Sequence, residues 1–151
     1  MVAFARVAVL VAAVLILDQL SKRAVIANIP LGTTRTFLPA VNLVHIHNSG
    51  VAFGFFAGGG ILVLVLTLVA LAALVIYFLR RPTRPWLWLP TGLLIGGALG
   101  NIIDRLAHGY VTDFIKLPAW PAFNVSDMSI TFGVLSLLYV LEGPPSRRKG
   151  E

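Results

Sequence analysis

Two aspartates in the second half of the chain have the type and placement that acid–base chemistry requires. The chain carries only six acidic residues, and Asp104, Asp113 and Asp127 all lie within the stretch from Gly92 to Asp127. Each lies at or just beyond the end of an apolar run. On insertion scales, a carboxylate at the centre of a membrane helix costs roughly 2.5–3.5 kcal/mol of insertion free energy. A chain with so few charges is expected to use them, and we predict that Asp113 and Asp127 form a catalytic pair.

The chemistry available to such a pair is hydrolysis. Two carboxylates held close together cannot easily both ionise, so they share one proton. The ionised member can activate water while the protonated member protonates a leaving group, which cleaves a peptide bond without a nucleophilic side chain. The chain has no cysteine, and its spacing suggests no Ser-His-Asp arrangement. Four polar residues are expected to orient the pair or bind substrate carbonyls: Asn48, Asn101, Asn124 and Arg105.

Two other functions use membrane carboxylates. A small proton-coupled transporter would need an acid near mid-membrane, whereas the apolar run 61–79 contains none. A non-enzymatic assembly factor would use the aspartates to bind a partner. Asp113→Asn and Asp127→Asn discriminate between the classes, because an assembly factor would keep its function and a peptidase would fold but be inactive.

The composition predicts an integral membrane protein that forms one domain over residues 1–151. The chain is 58% hydrophobic and 12% charged, with mean hydropathy +0.89, whereas soluble domains carry about 25% charged residues. The net charge of +6 could suggest nucleic acid. Because no basic stripe with interleaved aromatics is present, we expect membrane lipids and not nucleic acid as partners, with the arginines flanking membrane spans.

The fold class predicted is an all-α membrane bundle with four transmembrane helices and a small extracytoplasmic β-element. Apolar runs of sufficient length define the spans, which are expected at about 4–24, 61–79, 86–103 and 123–141. In the third span Gly92, Gly96 and Gly100 recur every four residues, a pattern typical of close helix packing. The last apolar run is too short alone, so the fourth helix is expected to begin near Ala122 or Phe123.

The β-element is predicted at about 41–56. Residues 41–47 partly alternate between apolar and polar, residues 48–50 favour a turn, and residues 51–56 could return as a second strand. A short β-prone run, 110–115, contains Asp113. His45 and His47 are expected on one face of a strand, but no suitably spaced carboxylate accompanies them, so we expect no metal site and no cofactor.

The distribution of positive charge predicts the orientation. Three arginines occur in residues 80–85 and three basic residues in 147–149, whereas the remaining loops are sparsely charged. Dense positive ends face the cytoplasm, which puts both termini there and the aspartates at the outer surface. Asp18 and Lys22 lie one helical turn apart near the outer end of the first span, where they form either a simple ion pair or part of the site.

The motifs together resemble the bacterial lipoprotein signal peptidase family (signal peptidase II, aspartyl peptidase family A8). The resemblance runs from about Asp18 to Asp127 and depends on five motifs in the family's order: Asp18-Gln19-x-Ser21-Lys22, Asn48-x-Gly50-x-Ala52-Phe53-Gly54, Gly96-Gly97-x-x-Gly100-Asn101-x-x-Asp104-Arg105, Val111-x-Asp113-Phe114 and Phe123-Asn124-x-x-Asp127.

The resemblance implies an aspartic endopeptidase of the bacterial inner membrane. Its substrates would be prolipoproteins with a lipobox, cleaved just before a diacylglyceryl-modified cysteine at the extracytoplasmic face. It implies that Asp113 and Asp127 are catalytic, without cofactor or metal, and that a monomer suffices. By the same resemblance, eight residues bind substrate or support the aspartates: Asn48, Gly50, Asn101, Asp104, Arg105, Asn124, Asp18 and Lys22. The segment 41–56 is expected to clamp the lipobox through Phe53 and Phe55.

Overall fold

Four helices and a three-stranded sheet make up the fold. The computed structural model describes residues 1–49 and 60–142, and the side chains of residues 65–142 in the second range. In chain order the elements are α1 (Val2–Asn28), β1 (Thr34–Leu38), β2 (Val41–Asn48), α2 (Gly60–Arg80), α3 (Trp88–His108), β3 (Val111–Lys116) and α4 (Val125–Glu142). The predicted returning strand 51–56, the clamp residues Phe53 and Phe55, and Gly50 lie outside the described residues.

Helix α3 occupies the centre and packs on the other three helices. An added Cβ at Gly92 would lie 2.8 Å from Leu10, and one at Gly96 would lie 2.8 Å from Val14. The constant offset between these partners shows that α1 and α3 run parallel. The glycine repeat therefore packs helices closely, as predicted.

On its other side, α3 packs antiparallel against α4. An added Cβ at Gly97 would lie 2.6 Å from the carbonyl oxygen of Ser126, and one at Gly133 would lie 2.7 Å from Leu94. Parallel packing to α1 and antiparallel packing to α4 bring three helix ends to the same side: the C-terminal halves of α1 and α3 and the first turn of α4.

A proline and a glycine mark the ends of α1 and α3, and both helices run past the ends predicted at residues 24 and 103. Pro30 follows the C-cap of α1, Ile29, which has extended backbone as a residue before proline prefers. Gly109 closes α3 in the left-handed region at φ 80°, and its N–H bonds the carbonyl of Arg105 at 2.9 Å. Helix α3 therefore extends beyond the predicted end at residue 103, so that Asp104 and Arg105 lie within it.

The sheet has the order β1-β2-β3 with both pairs antiparallel. β2 lies within the predicted β-element, but its described partners are β1, which the sequence analysis did not predict, and β3. Between Leu43 and Ile46 the pairing with β3 slips by one residue, which is a β-bulge in β2. The sheet covers the end of α1, where Val25, Ile29 and Phe114 form a buried apolar cluster.

Helix α4 begins two residues later than predicted. Phe123 is held in extended backbone by reciprocal hydrogen bonds with Ile115 at 2.8 and 2.9 Å, so it cannot join the helix. Among the described residues, two helices are long and apolar enough to cross a membrane, α1 and α4, and Val65–Arg80 is a shorter apolar helical segment. Many large apolar side chains on these helices are exposed, such as Leu17 at 61% and Leu138 at 51%.

Candidate active site

Asp113 lies in the middle of β3, with 3% of its surface exposed. Each of its carboxylate oxygens accepts a side-chain amide. Asn48 Nδ2 donates to Asp113 Oδ2 at 2.9 Å, and Asn124 Nδ2 donates to Asp113 Oδ1 at 2.7 Å. A strand from the sheet and the residue before α4 therefore fix this side chain together.

Asp127 lies in the first turn of α4, where it forms a capping box with Asn124. The N–H of Asp127 donates to Asn124 Oδ1 at 2.9 Å, and Asp127 Oδ2 accepts the N–H of Asn124 at 3.2 Å. These reciprocal bonds satisfy backbone donors that the helix itself leaves unpaired. The remaining oxygen, Oδ1, accepts Asn101 Nδ2 from α3 at 2.8 Å.

Asn124 contacts both aspartates. Its side-chain oxygen is committed to the N–H of Asp127, so its side-chain nitrogen must face Asp113. The residue is fully buried. One asparagine thus joins the carboxylate on the sheet to the carboxylate on the helix.

A buried ion cluster lies behind the aspartates. Lys22 Nζ contacts Asp18 Oδ2 at 2.7 Å and Asp104 Oδ2 at 2.8 Å, with Lys22 2% exposed and Asp18 fully buried. The same ammonium donates to Asn101 Oδ1 at 3.3 Å. Asp18 and Lys22 form the predicted ion pair, and the pair also belongs to a network that reaches Asp127 through Asn101.

The ion cluster also holds three helices and the sheet in place. Asp18 Oδ1 accepts the N–H of Ser126 in α4 at 2.9 Å, and the N–H of Thr112 in β3 approaches Asp104 Oδ2 at 3.4 Å. Gln19 donates to both acids, at 3.2 Å to Asp18 and 2.9 Å to Asp104. Sequence reasoning did not select Gln19 or Ser126 as site residues; their adjacency to Asp18 and Asp127 in the motifs was the available signal.

Arg105 lies one turn after Asn101 on α3. Its Nη1 donates to the carbonyl of Asn101 at 3.3 Å, and its Nε is buried with no hydrogen-bond partner among the described residues. The structure therefore puts Arg105 next to Asn101 but shows no contact between its guanidinium and either Asp113 or Asp127.

The environment of Asp113 favours its protonated form. Burial raises the pKa of Asp113 to about 6 from its ordinary value of 3.8, and the nearby charge of Asp127 raises it too. The hydrogen bonds from Asn48 and Asn124 and the charge of Lys22 act in the opposite direction. A carboxyl with a pKa in this range is suited to proton transfer near neutral pH.

The two strand histidines differ in their surroundings. His45 lies in the bulge of β2, is buried, and bonds the carbonyl of Ile29 through Nδ1 at 2.8 Å. His47 stacks on Tyr110 at 3.6 Å between ring centroids. Its pKa is lowered mainly by burial and further by the nearby His45 and His108. Among residues 1–49 and 60–142, no three histidine, aspartate or glutamate side chains are grouped so as to hold a metal ion.

An apolar cavity of about 300 Å³ lies between α2, α3 and α4. Ala98 and Ile130 line it, three residues from Asn101 and Asp127 respectively. Three residues rise about 4.5 Å along a helix and stay on nearly the same face. The cavity therefore begins about one helical turn from the aspartate site, toward the middle of the bundle.

Comparison with known proteins agrees with this architecture. The family described as signal peptidase (SPase) II matches residues 10–142. A lipoprotein signal peptidase from Moorella thermoacetica is 43% identical over 143 residues, which cover 91% of this chain and 93% of that protein. One from Halothermothrix orenii is 37% identical over 134 residues, covering 88% of this chain and 92% of that protein.

Two solved structures share the fold. Both are described as bacterial membrane enzyme structures obtained by the in meso method. The one at 1.9 Å resolution has a TM-score of 0.79 at 32% identity, covering 89% of this chain and 91% of that chain. The one at 2.3 Å has a TM-score of 0.82 at 29% identity, covering 96% of this chain and 93% of that chain. With a family match over most of its length, five motifs in order and this shared fold, the chain belongs to the signal peptidase II family of aspartic peptidases.

Proposed function

We propose that this protein removes the signal peptide from diacylglyceryl-modified prolipoproteins, cleaving just before the lipidated cysteine. The observation behind this proposal is the position of Asp113 and Asp127. One lies on β3 and the other on α4, and both are hydrogen-bonded to Asn124. This arrangement supports the placement of a water molecule and a scissile peptide bond between a general acid and a general base. The lipoprotein signal peptidase names of its relatives support the substrate class.

The reaction needs only groups that the site contains. The ionised carboxylate takes a proton from water as the water oxygen bonds the scissile carbonyl carbon, and the protonated carboxyl gives its proton to the carbonyl oxygen. Collapse of the tetrahedral intermediate breaks the C–N bond, the leaving nitrogen receives the proton from the base, and the acid regains its own. The dyad returns to its starting state with one shared proton.

We infer that the whole chain forms a single membrane-embedded domain with four spans and both termini in the cytoplasm. The exposed apolar side chains of α1, α2 and α4 support contact with lipid. The arginines at positions 80, 81 and 84 lie at the opposite end of α3 from Asp104, which supports an extracytoplasmic aspartate site. An inner-membrane enzyme in this orientation would meet its lipid-anchored substrate at the outer interface. Among the described residues, one copy of the chain supplies the side chains that bond Asp113 and Asp127, which supports a monomer.

The apolar cavity beside the aspartates would receive side chains of the substrate's signal segment. Its lining from α2, α3 and α4 is almost entirely apolar, with Leu71, Leu74, Leu94 and Val134 among its members. The segment that precedes a lipobox is itself apolar, so burial in this cavity would position the scissile bond one helical turn away, at the aspartates.

Cleavage of a diacylated precursor by purified protein tests the proposal. Asp113→Asn and Asp127→Asn should each give folded protein with activity reduced by at least about a thousandfold, because either change removes the shared proton. Glu142→Gln, at the far end of α4, is the matched control and should cleave normally. Full activity of either aspartate variant would refute the mechanism.

A further inference from the structure

Asn101 lies between a cation and a carboxylate, and this position fixes the orientation of its amide. Its Oδ1 accepts Lys22 Nζ at 3.3 Å, and its Nδ2 donates to Asp127 Oδ1 at 2.8 Å. An ammonium can only donate. Turning the amide over would set N–H groups against the ammonium and an oxygen against the carboxylate, so only one orientation is favourable.

Lys22 is held where this orientation requires it. Asp18 and Asp104 bind the same ammonium at 2.7 and 2.8 Å, and with Asn101 they use all three of its hydrogens. The guanidinium of Arg105, bonded to the Asn101 carbonyl, adds a second cation beside the two acids. Asn101 is the side chain that carries a hydrogen bond from Lys22 to Asp127.

The corresponding amide at Asp113 is polarised by a weaker donor. Asn124 Oδ1 accepts a neutral backbone N–H, that of Asp127, whereas Asn101 Oδ1 accepts an ammonium. An amide whose oxygen is bonded to a cation donates more strongly through its nitrogen, because hydrogen bonds in a chain polarise one another. Of these two amides, Asn101 is therefore the one that a cation polarises, whereas Asp113 accepts Asn124 and also Asn48.

We propose that Lys22 is a positioning residue that, through Asn101, keeps Asp127 ionised as the general base and leaves the shared proton on Asp113. The inference depends on the proposed peptidase function and names the role of each aspartate in it. Asp127 takes the proton of the attacking water, and Asp113 protonates the carbonyl oxygen. The raised pKa of Asp113, about 6, has the direction that this role requires.

The pH dependence of kcat/KM for a diacylated precursor tests this assignment. Asn101→Leu removes the donor to Asp127 while leaving Lys22 paired with Asp18 and Asp104. The acid limb of the profile is its low-pH side, where the proposed base, Asp127, becomes protonated. Loss of the donor should move this limb upward by roughly one pH unit and lower kcat more than it raises KM. Lys22→Met should move the same limb in the same direction, and Lys22→Arg should restore much of it. Because the charge of Lys22 also lowers the pKa of Asp113, Lys22→Met should in addition move the alkaline limb upward, which Asn101→Leu should not do.

Gln19→Leu is the matched control, because Gln19 donates to the same two acids but is not hydrogen-bonded to Asn101. It should leave the acid limb in place. If Lys22→Met fails to fold, Asn101→Leu decides alone. An unchanged acid limb in active Asn101→Leu, or movement of the alkaline limb instead, overturns the inference. Failure of wild-type protein to cleave would instead refute the proposed function.

Discussion

Asn48 reaches Asp113 diagonally across two antiparallel strands, and a one-residue bulge makes that contact available. Before the bulge Leu43 pairs with Ile115, and after it Ile46 pairs with Asp113. Side chains alternate between the faces of a strand, so a slip of one residue exchanges the faces. Without the bulge Asp113 would lie opposite His45, and Asn48 would point to the other face of the sheet.

Asn48→Ala should therefore change the pH profile of cleavage. The hydrogen bond from Asn48 lowers the pKa of Asp113, so its loss should raise that pKa above the present value of about 6. If Asp113 is the acid, activity persists to higher pH, and the alkaline limb of kcat/KM should move upward by roughly one pH unit. Asn42→Ala, at the far end of β2, should leave the limb unchanged; equal shifts in both variants would contradict the argument.

The raised pKa of Asp113 also predicts a pH-dependent cost to stability. From about pH 3.8 to about pH 6 the unfolded chain releases this proton while the folded protein retains it, so stability falls as pH rises. Asp113→Asn cannot ionise and escapes this loss, which amounts to about 3 kcal/mol.

Thermal unfolding in detergent micelles measures the difference. Asp113→Asn should have the higher Tm at pH 7.5, and its advantage over wild type should shrink toward pH 4. A Tm difference that is constant across this range would mean that the ionisation of Asp113 carries no such cost.

Helices α3 and α4 pack so closely at Gly100 that a larger residue there should destabilise the protein. A Cβ there would overlap Ser126 Oγ and lie 2.8 Å from Asp18 Oδ2, so Gly100→Ala should lower Tm by several degrees and reduce cleavage. Within the part of the chain that the structure describes, Ser126 Oγ is buried without a hydrogen-bond partner, so Ser126→Ala alone should be neutral or slightly stabilising.

The double variant Gly100→Ala, Ser126→Ala should recover part of the loss, because the nearest obstacle has gone. A double-mutant cycle on Tm detects this as a favourable coupling between the two sites. Strict additivity would show that the overlap with Ser126 is not what limits the glycine position.

The close packing of α3 depends on local sequence and was predicted from the glycine spacing. The capping box of Asn124 and Asp127 is equally local, but it was not predicted. The ion cluster depends on contacts between residues far apart in the chain, such as Lys22 with Asp104, so periodicity could only suggest it.

Features decided by long-range pairing were missed. β1 has too little alternation to predict a strand, and it forms because Thr34 and Thr36 pair with β2. The start of α4 was predicted too early because the extended pairing of Phe123 with Ile115 is a tertiary contact. The bulge at His45 has no signal in the hydrophobic pattern, yet it determines which face carries Asn48.

The apolar cavity predicts where substrate selectivity can be altered without touching the aspartates. Ala70 lines it from α2, so Ala70→Leu should fill part of its roughly 300 Å³ and raise KM for a lipidated precursor severalfold, with a smaller change in kcat. Ala73→Leu, an identical change on the same helix outside the cavity lining, is the control. Equal kinetics for the two variants would show that the signal segment does not enter this cavity.

The proposed orientation makes the sheet and the α2–α3 loop lie on opposite sides of the membrane. The protein has no natural cysteine, so single substitutions report location without background. Thr36→Cys on β1 and Thr83→Cys in the loop are a matched pair, since both positions are exposed threonines. A membrane-impermeant maleimide should label Thr36→Cys in intact spheroplasts and Thr83→Cys only after permeabilisation. Because α2 separates this loop from β2 and α3 separates it from β3, labelling of both positions from one side would show that these two helices do not cross the bilayer. The reversed pattern would put the aspartates on the cytoplasmic side, away from a substrate anchored in the outer leaflet.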